Sequence, residues 1–362
     1  MTTKVLHLLG SLRPSGMERM LVTAADHFRA ADVTNIIVGQ GKEHSFEHEL
    51  RKVGHDVHVV EPIGLSLTNA KTFRKLVRGL GVDVVHIHTE ANYLRTVLAA
   101  RWALGRRGTI VRTIHSVFDA KGMWWASRFV QAAIADRFVA AVVAPSTDVS
   151  RNERRFWRRP VVIFNWVDDA IFSISSRRAT RGTAHDSTPT ALIVGNCSGI
   201  KQHERALIAL ANAGHRLIHL GDERDAGASE LSLLGGLQER GFLVERGVAR
   251  PHEALARADY FMLPSRHEGM SVALAEAIVA GVPALVNDVQ GLQWAKGVAG
   301  VTMVSDEQEA WLQAVLHWQP PMSDSELLPP DLSAVRGARE YVEVYSRTAK
   351  VDRTRHFFSI GG

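Results

Sequence analysis

Residues 264–277 read PSRHEGMSVALAEA. The run before them, Tyr260–Leu263, is a short apolar strand, and the run after Ser271 has helical composition, so this is a strand-to-helix turn. Gly269 lets the backbone come close to a ligand. Ser271 is a natural N-cap, and the amides from Val272 onward are then left to face an anion. Glu268 and Glu276 stand eight residues apart, about 12 Å if the spacing is fully helical. That is the span of a nucleotide-sugar from hexose to ribose. Carboxylates suit both ends, because sugar and ribose hydroxyls are donors. A diphosphate between them would lie on the helix N-terminus, an arrangement worth about 0.3–1 kcal/mol or more.

The same alternation runs through most of the chain. Strands are predicted at Lys4–Leu9, Thr34–Val38, Asp56–Val60, Asp83–His88, Thr109–Ile114, Ala140–Ala144 and Val161–Phe164, with amphipathic segments such as Met17–Arg29 between them. Residues 168–189 are rich in Ser, Arg, Thr and Asp and read as a linker. A second set of strands then runs from Ala191–Val194 to Val301–Val304. Strands bounded by Gly or Pro and alternating with helices mean parallel βαβ units. The expected architecture is α/β: a first domain over 1–167, a linker, a second domain over 190–332 and a final amphipathic helix around Ser333–Thr348. In such sheets ligands sit outside the carboxyl ends of strands.

The stretch at 264–277 resembles the E-x7-E signature of the retaining glycosyltransferases of family four, which have the GT-B fold of two Rossmann-like domains. The likeness extends along the chain in the family's order. GSLRPSGME (10–18) resembles the first glycine-rich loop, DVVHIH (83–88) the strand leading to the site, and Thr113-Ile114-His115 the strand end that supplies a histidine. Ala144-Pro145-Ser146 resembles the segment before the first domain's last helix. Val194-Gly195 followed by Lys201 resembles the loop whose basic residues hold the diphosphate. The resemblance implies hexosyl transfer from a nucleoside-diphosphate sugar to an acceptor hydroxyl, with retention and without a metal or other cofactor. It assigns Glu268, His115 and Lys201 to catalysis. Gly16, Asn196, Gly269, Met270, Ser271, Val272 and Glu276, together with Lys201, fall to the donor, and Arg246 is placed near the nucleobase by its position just after a strand alone. It also implies that residues 333–362 cross back to the first domain.

Two positions depart from the family pattern. Asn196 stands where Arg usually follows the glycine, so Lys201 acts alone or with Arg266 or Arg250. Trp166 replaces a turn glycine in Asn165-Trp166-Val167-Asp168, which argues against a positive φ there. These departures keep a non-catalytic scaffold open, and a sugar-nucleotide epimerase stays open because it shares the architecture. His86 and His88 alternate along their strand and are expected on opposite faces, so that they cannot share a metal. His44–His48 matches H-x-x-E-H, yet it lacks a flanking apolar helix and a third ligand, so surface residues of a helix are the reading.

The 362 residues include one cysteine, Cys197, which excludes a disulfide framework and a Cys-rich zinc site. The longest apolar run, Phe138–Ala144, has seven residues, against the ~20 needed to span a bilayer. A cytoplasmic protein is expected, peripheral on the inner membrane face. The net charge of +5 is uneven. Residues 1–165 hold 24 Lys and Arg against 14 Asp and Glu, and the remainder is acidic. Cations mix with aromatics in KGMWWASRF (121–129) and RNERRFWRR (151–159). That mixture suits an anionic membrane surface, and the family resemblance implies a lipid-linked or anionic glycan acceptor. No nucleic-acid module motif is present.

Overall fold

The computed structural model describes residues 2–106, 108–118, 122–179, 188–249, 251–319 and 329–357. Arg250, Lys121 and residues 180–187 of the expected linker lie outside them, as do residues 320–328. The chain divides into two compact units, Met1–Asn165 with Ser333–Gly362, and Trp166–Leu332.

The first unit is a seven-stranded parallel sheet in the order β3-β2-β1-β4-β5-β6-β7. Its strands are β1 (Thr3–Leu8), β2 (Val33–Gly39), β3 (Asp56–Val59), β4 (Val84–Ile87), β5 (Thr109–Thr113), β6 (Ala141–Ala144) and β7 (Val161–Val162). The helices between them are α1 (Gly16–Thr23), α2 (Ala25–Ala30), α3 (Glu47–Lys52), α4 (Leu67–Leu80), α5 (Tyr93–Leu104), α6 (Gly122–Ala135) and α7 (Thr147–Glu153). β4 and β5 are buried along their whole length, as expected of parallel strands covered on both faces. One helix was expected over Met17–Arg29, and the chain instead bends at Ala24 between α1 and α2. Thr23 Oγ1 donates to the Met20 carbonyl at 3.1 Å, a back-bond that loosens a helix at that point.

The second unit is a six-stranded parallel sheet in the order β10-β9-β8-β11-β12-β13. Here β8 is Thr190–Val194, β9 Arg216–Leu220, β10 Leu243–Gly247, β11 Tyr260–Leu263, β12 Ala284–Asn287 and β13 Val301–Val304. The order reverses direction between β8 and β11, the switch point at which a doubly wound sheet opens a crevice. The helices are α8 (Asp169–Ala179), α9 (His203–Ala213), α10 (Ala228–Glu239), α11 (Pro251–Arg257), α12 (Val272–Val279) and α13 (Gln308–Leu316). The expected linker at 168–189 is therefore corrected over its first half. Ile171 and Ile174 are buried, and Asp168 Oδ1 accepts the Ala170 amide at 2.9 Å, so a polar sequence still winds into a helix. Trp166 is buried and its φ is not positive. Beside it, the Val167 amide donates to the Leu332 carbonyl at 3.0 Å, where the chain leaves this unit.

A final helix, α14 (Ala334–Phe357), belongs to the first unit. Tyr345 Oη lies 2.8 Å from His86 Nδ1, and Arg336 Nη2 donates to the Phe164 carbonyl at 2.8 Å. Among the described residues no helix is long and apolar enough to cross a membrane.

Two glycines of the second unit make opposite predictions. A Cβ on Gly221 would stand 1.9 Å from the Gly195 carbonyl oxygen, while one on Gly235 within α10 meets nothing within 4 Å. Gly221→Ala should cost about 3 kcal/mol in urea denaturation, because the obstacle is backbone. Gly235→Ala should stabilise by about 0.5–1 kcal/mol. Equal effects would contradict the loop geometry.

Candidate active site

In the second unit Lys201 follows β8 and Glu268 follows β11, so the two residues flank the switch point. The Arg266 amide donates to the Ile200 carbonyl at 2.9 Å and ties the two loops together. Lys201 Nζ then donates to Glu268 Oε1 at 2.6 Å, with side-chain exposures of 26% and 12%. Gly269 and Met270 are buried between this pair and α12. Ser271 is the N-cap, and its Oγ accepts the Leu274 amide at 3.3 Å. The Val272 and Ala273 amides, in the first turn, have no acceptor within the helix. Glu276 is buried within α12. The helical spacing expected between Glu268 and Glu276 is corrected: Glu268 to Met270 precede the cap and are not helical, so 1.5 Å per residue does not apply there.

Two expected donor residues are already engaged. Asn196 Oδ1 accepts the Asp222 amide at 3.1 Å and pins the β8 loop to the β9 loop. Arg246 lies inside β10 rather than after it, and its Nε donates to Glu223 Oε1 at 2.7 Å. That guanidinium lowers the Glu223 pKa. Arg266 lies 3.7 Å from Asp306.

In the first unit Gly16 is the first residue of α1. Glu18, two residues on, is buried and hydrogen-bonded by Ser15 Oγ. Burial raises its pKa to about 7. His115 follows β5 and is half-buried. Its Nε2 lies 3.0 Å from His88 Nδ1, His88 Nε2 lies 3.0 Å from His7 Nδ1, and His7 Nε2 lies 3.1 Å from Asn35 Oδ1. With Asn35 accepting, His7 donates from Nε2, His88 donates to His7, and His115 donates to His88. This leaves Nδ1 of His115 as an acceptor.

The expectation that His86 and His88 face opposite ways is overturned. Their ring centroids are 4.0 Å apart. Residues two apart on a strand share a face, because the side-chain period is two. His7 joins them because it is the register partner of His86 across β1 and β4. Burial lowers the pKa of all four rings, to about 3 for His7 and about 4 for His115. The H-x-x-E-H segment carries no such cluster: Glu47 accepts from Arg51 Nε at 2.8 Å on α3, and His44 Nε2 lies 3.0 Å from the Gly41 carbonyl.

Comparison with known proteins gives this arrangement a context. Residues 14–171 match the family described as Glycosyltransferase Family 4, and residues 188–318 match Glycosyl transferases group 1. EpsF of Bacillus subtilis, named as a glycosyltransferase, is 25% identical over 320 residues, 79% of this chain and 79% of EpsF. The crystal structure of a glycosyltransferase from Rickettsia africae covers 96% of this chain and 99% of its own, with a TM-score of 0.71 and 16% identity. HepE of Anabaena, in complex with UDP-glucose, has a TM-score of 0.67 at 18% identity, covering 97% of this chain and 99% of that one. The fold is GT-B, two parallel α/β domains in one chain. Both matches are to glycosyltransferase families, and the chain is a glycosyltransferase.

The buried histidines set a pH dependence whose sign is fixed. Folding lowers their pKa values, so the unfolded chain takes up protons first. Their contribution is complete above the ordinary value of 6.5 and is lost as pH falls through 6.5 toward about 4 for His115 and about 3 for His7. Each proton adds about 1.4 kcal/mol per pH unit. Glu18 acts in the opposite direction, losing stability as pH rises from its ordinary 4.5 toward 7. Urea midpoints of the wild type should therefore fall from pH 7 to pH 5, and Glu18→Gln should raise the midpoint at pH 8. A flat profile from pH 7 to 5 would show that the rings are charged or solvated.

Proposed function

We propose that this enzyme transfers a hexosyl unit from a nucleoside-diphosphate sugar to an acceptor hydroxyl with retention of anomeric configuration, in the building of a glycan or glycolipid. The observation that carries the reading is the Lys201–Glu268 pair at the switch point of the second sheet, beside the N-terminus of α12. HepE, a structural neighbour, is described in complex with UDP-glucose, which supports a nucleotide-sugar donor. In this reading Lys201 turns from Glu268 to the diphosphate, joined by the Val272 and Ala273 amides of the same unit. Glu268 accepts from hydroxyls of the transferred sugar, and Glu276 from the ribose. In the first unit, His115 has its ring orientation held through His88. Arg246 lies toward the base, steadied by Glu223. Negative charge grows on the diphosphate as the glycosidic bond breaks, and donors fixed in advance lower that barrier most. Lys201 and the helix amides offset that negative charge, the part a metal ion would otherwise play at the diphosphate.

Features of the first unit support a lipid-linked or anionic glycan acceptor at a membrane surface. Met123 and Trp124 on α6 and Trp157 nearby are 87%, 83% and 86% exposed. Trp157 holds a left-handed φ of 60°, unusual for a bulky residue, and packs edge-on to Phe129. Arg154, Arg155 and Arg159 adjoin it. Behind this face a cavity of about 690 Å³ is lined by Arg112, Arg128, Trp124 and Tyr93, among others. Exposed aromatics beside cations match a headgroup interface, in keeping with a peripheral enzyme on the cytoplasmic leaflet that binds no nucleic acid.

A panel of UDP- and GDP-sugars, assayed for hydrolysis and transfer, tests the first proposal. Glu268→Ala and Lys201→Ala should each lower kcat/KM by about 100-fold or more. Full activity in both variants removes the proposed site. A converted sugar-nucleotide without acceptor identifies an epimerase, and no saturable donor binding identifies a scaffold.

Flotation on vesicles tests the second proposal. Binding should require anionic lipid, weaken with salt and drop in a Trp124→Ala/Trp157→Ala variant. No flotation at low salt leaves the acceptor soluble.

A further inference from the structure

Four side chains of the second unit converge just beneath the loop that carries Lys201. They are Cys197 in that loop, His203 at the start of α9, His219 in β9 and Glu230 in α10, and all four are buried. His203 Nδ1 lies 2.9 Å from Glu230 Oε1 and 3.4 Å from His219 Nε2, and Cys197 Sγ lies 3.7 Å from His219 Nε2. The four atoms are all within 4.8 Å of one another. Ligands at about 2.0–2.3 Å from a tetrahedral zinc ion stand roughly 3.3–3.8 Å apart, so little movement is needed to close around an ion.

We propose that Cys197 Sγ, His203 Nδ1, His219 Nε2 and a Glu230 oxygen bind one Zn²⁺ ion. The chemistry of the set selects this metal. Thiolate, two imidazoles and a carboxylate are zinc's ordinary ligands. The thiolate and carboxylate together cancel the ion's two charges, so a buried site stays neutral. Binding displaces the thiol proton of Cys197 to solvent and holds His203 with its proton on Nε2. A further carboxylate stands behind the ligands: Glu223 Oε1 lies 3.4 Å from His219 Nδ1 without making a hydrogen bond, within reach of the bond that fixes a ligating imidazole. Arg246 holds Glu223 in turn. The histidine cluster of the first unit lacks these features. His7 and His86 have both ring nitrogens hydrogen-bonded, and among the described residues no anionic ligand joins them.

Four protein ligands close the coordination sphere, so the ion is structural and leaves no position for substrate. It ties the Gly195–Lys201 loop and the start of α9 to β9 and α10. The site stands apart from the transfer chemistry, and metal content reads it whether or not the chain transfers sugar.

The test uses the full chain, loaded with zinc, desalted and assayed for metal by mass spectrometry, then exchanged with cobalt. The expected result is one zinc per chain. The cobalt form should show the visible bands of a tetrahedral site and a thiolate-to-cobalt charge-transfer band. Cys197→Ser should lose that band. Should that variant fail to fold, Glu223→Gln supplies the second reading, with zinc affinity down about 10–100-fold. Metal lost on desalting, or a cobalt form with no thiolate band, would mean that the cluster is joined by hydrogen bonds alone.

Discussion

The ion pair between Lys201 and Glu268 is the contact on which the candidate site depends. Each residue ends a loop after one of two neighbouring strands, and beyond those strands the connections run in opposite directions. The crevice exists because of that divergence, and only the loops themselves can furnish it. A backbone hydrogen bond from Arg266 to Ile200 joins the loops, and the ion pair closes the join. A pair so withdrawn from water adds little net stability, since desolvation offsets the attraction. Its value is positional. It stores a cation and an anion side by side, where a diphosphate can claim one and sugar hydroxyls the other.

This local device matters because the surrounding charge is unfavourable. The +5 total is the sum of a strongly basic first portion and an acidic remainder, and the pair lies in the acidic part. The proposed diphosphate would have to be held there by a few directed donors rather than by a general field. Asn196 is spent on the Asp222 amide, and Arg246 on Glu223. The cations of the first unit serve a different surface, around α6 and Trp157. Within that unit a second directed network, from His115 through His88 and His7 to Asn35, fixes ring orientation without charge.

The legible parts of the structure were those written in local pattern. Buried parallel strands appear as short apolar runs, so the strands of both sheets could be placed within one or two residues, and Ser271 announced its helix. The Lys201–Glu268 meeting was legible only as two loops in a familiar order. What stayed hidden was set by distance along the chain or by tertiary override. Ile171 and Ile174 turned a polar linker into a helix. The shared face of His86 and His88 could have been read from strand parity, but His7 joins them only through the register of β1 with β4. Glu18 stood in a quoted motif without a role, because nothing in the sequence says that it is buried. Cys197, His203, His219 and Glu230 come from four elements at spacings that match no short metal motif.

The central claim is that Lys201 is shared between Glu268 and the donor's diphosphate. Calorimetric titration of the bare nucleoside diphosphate, without sugar, into the wild type, Lys201→Ala and Glu268→Ala tests it most directly. The account predicts that Lys201→Ala weakens binding at least about 10-fold, a loss of about 1.4 kcal/mol. Glu268→Ala should bind as tightly as the wild type or more tightly, because it frees the lysine. Equal weakening in both variants would contradict the account.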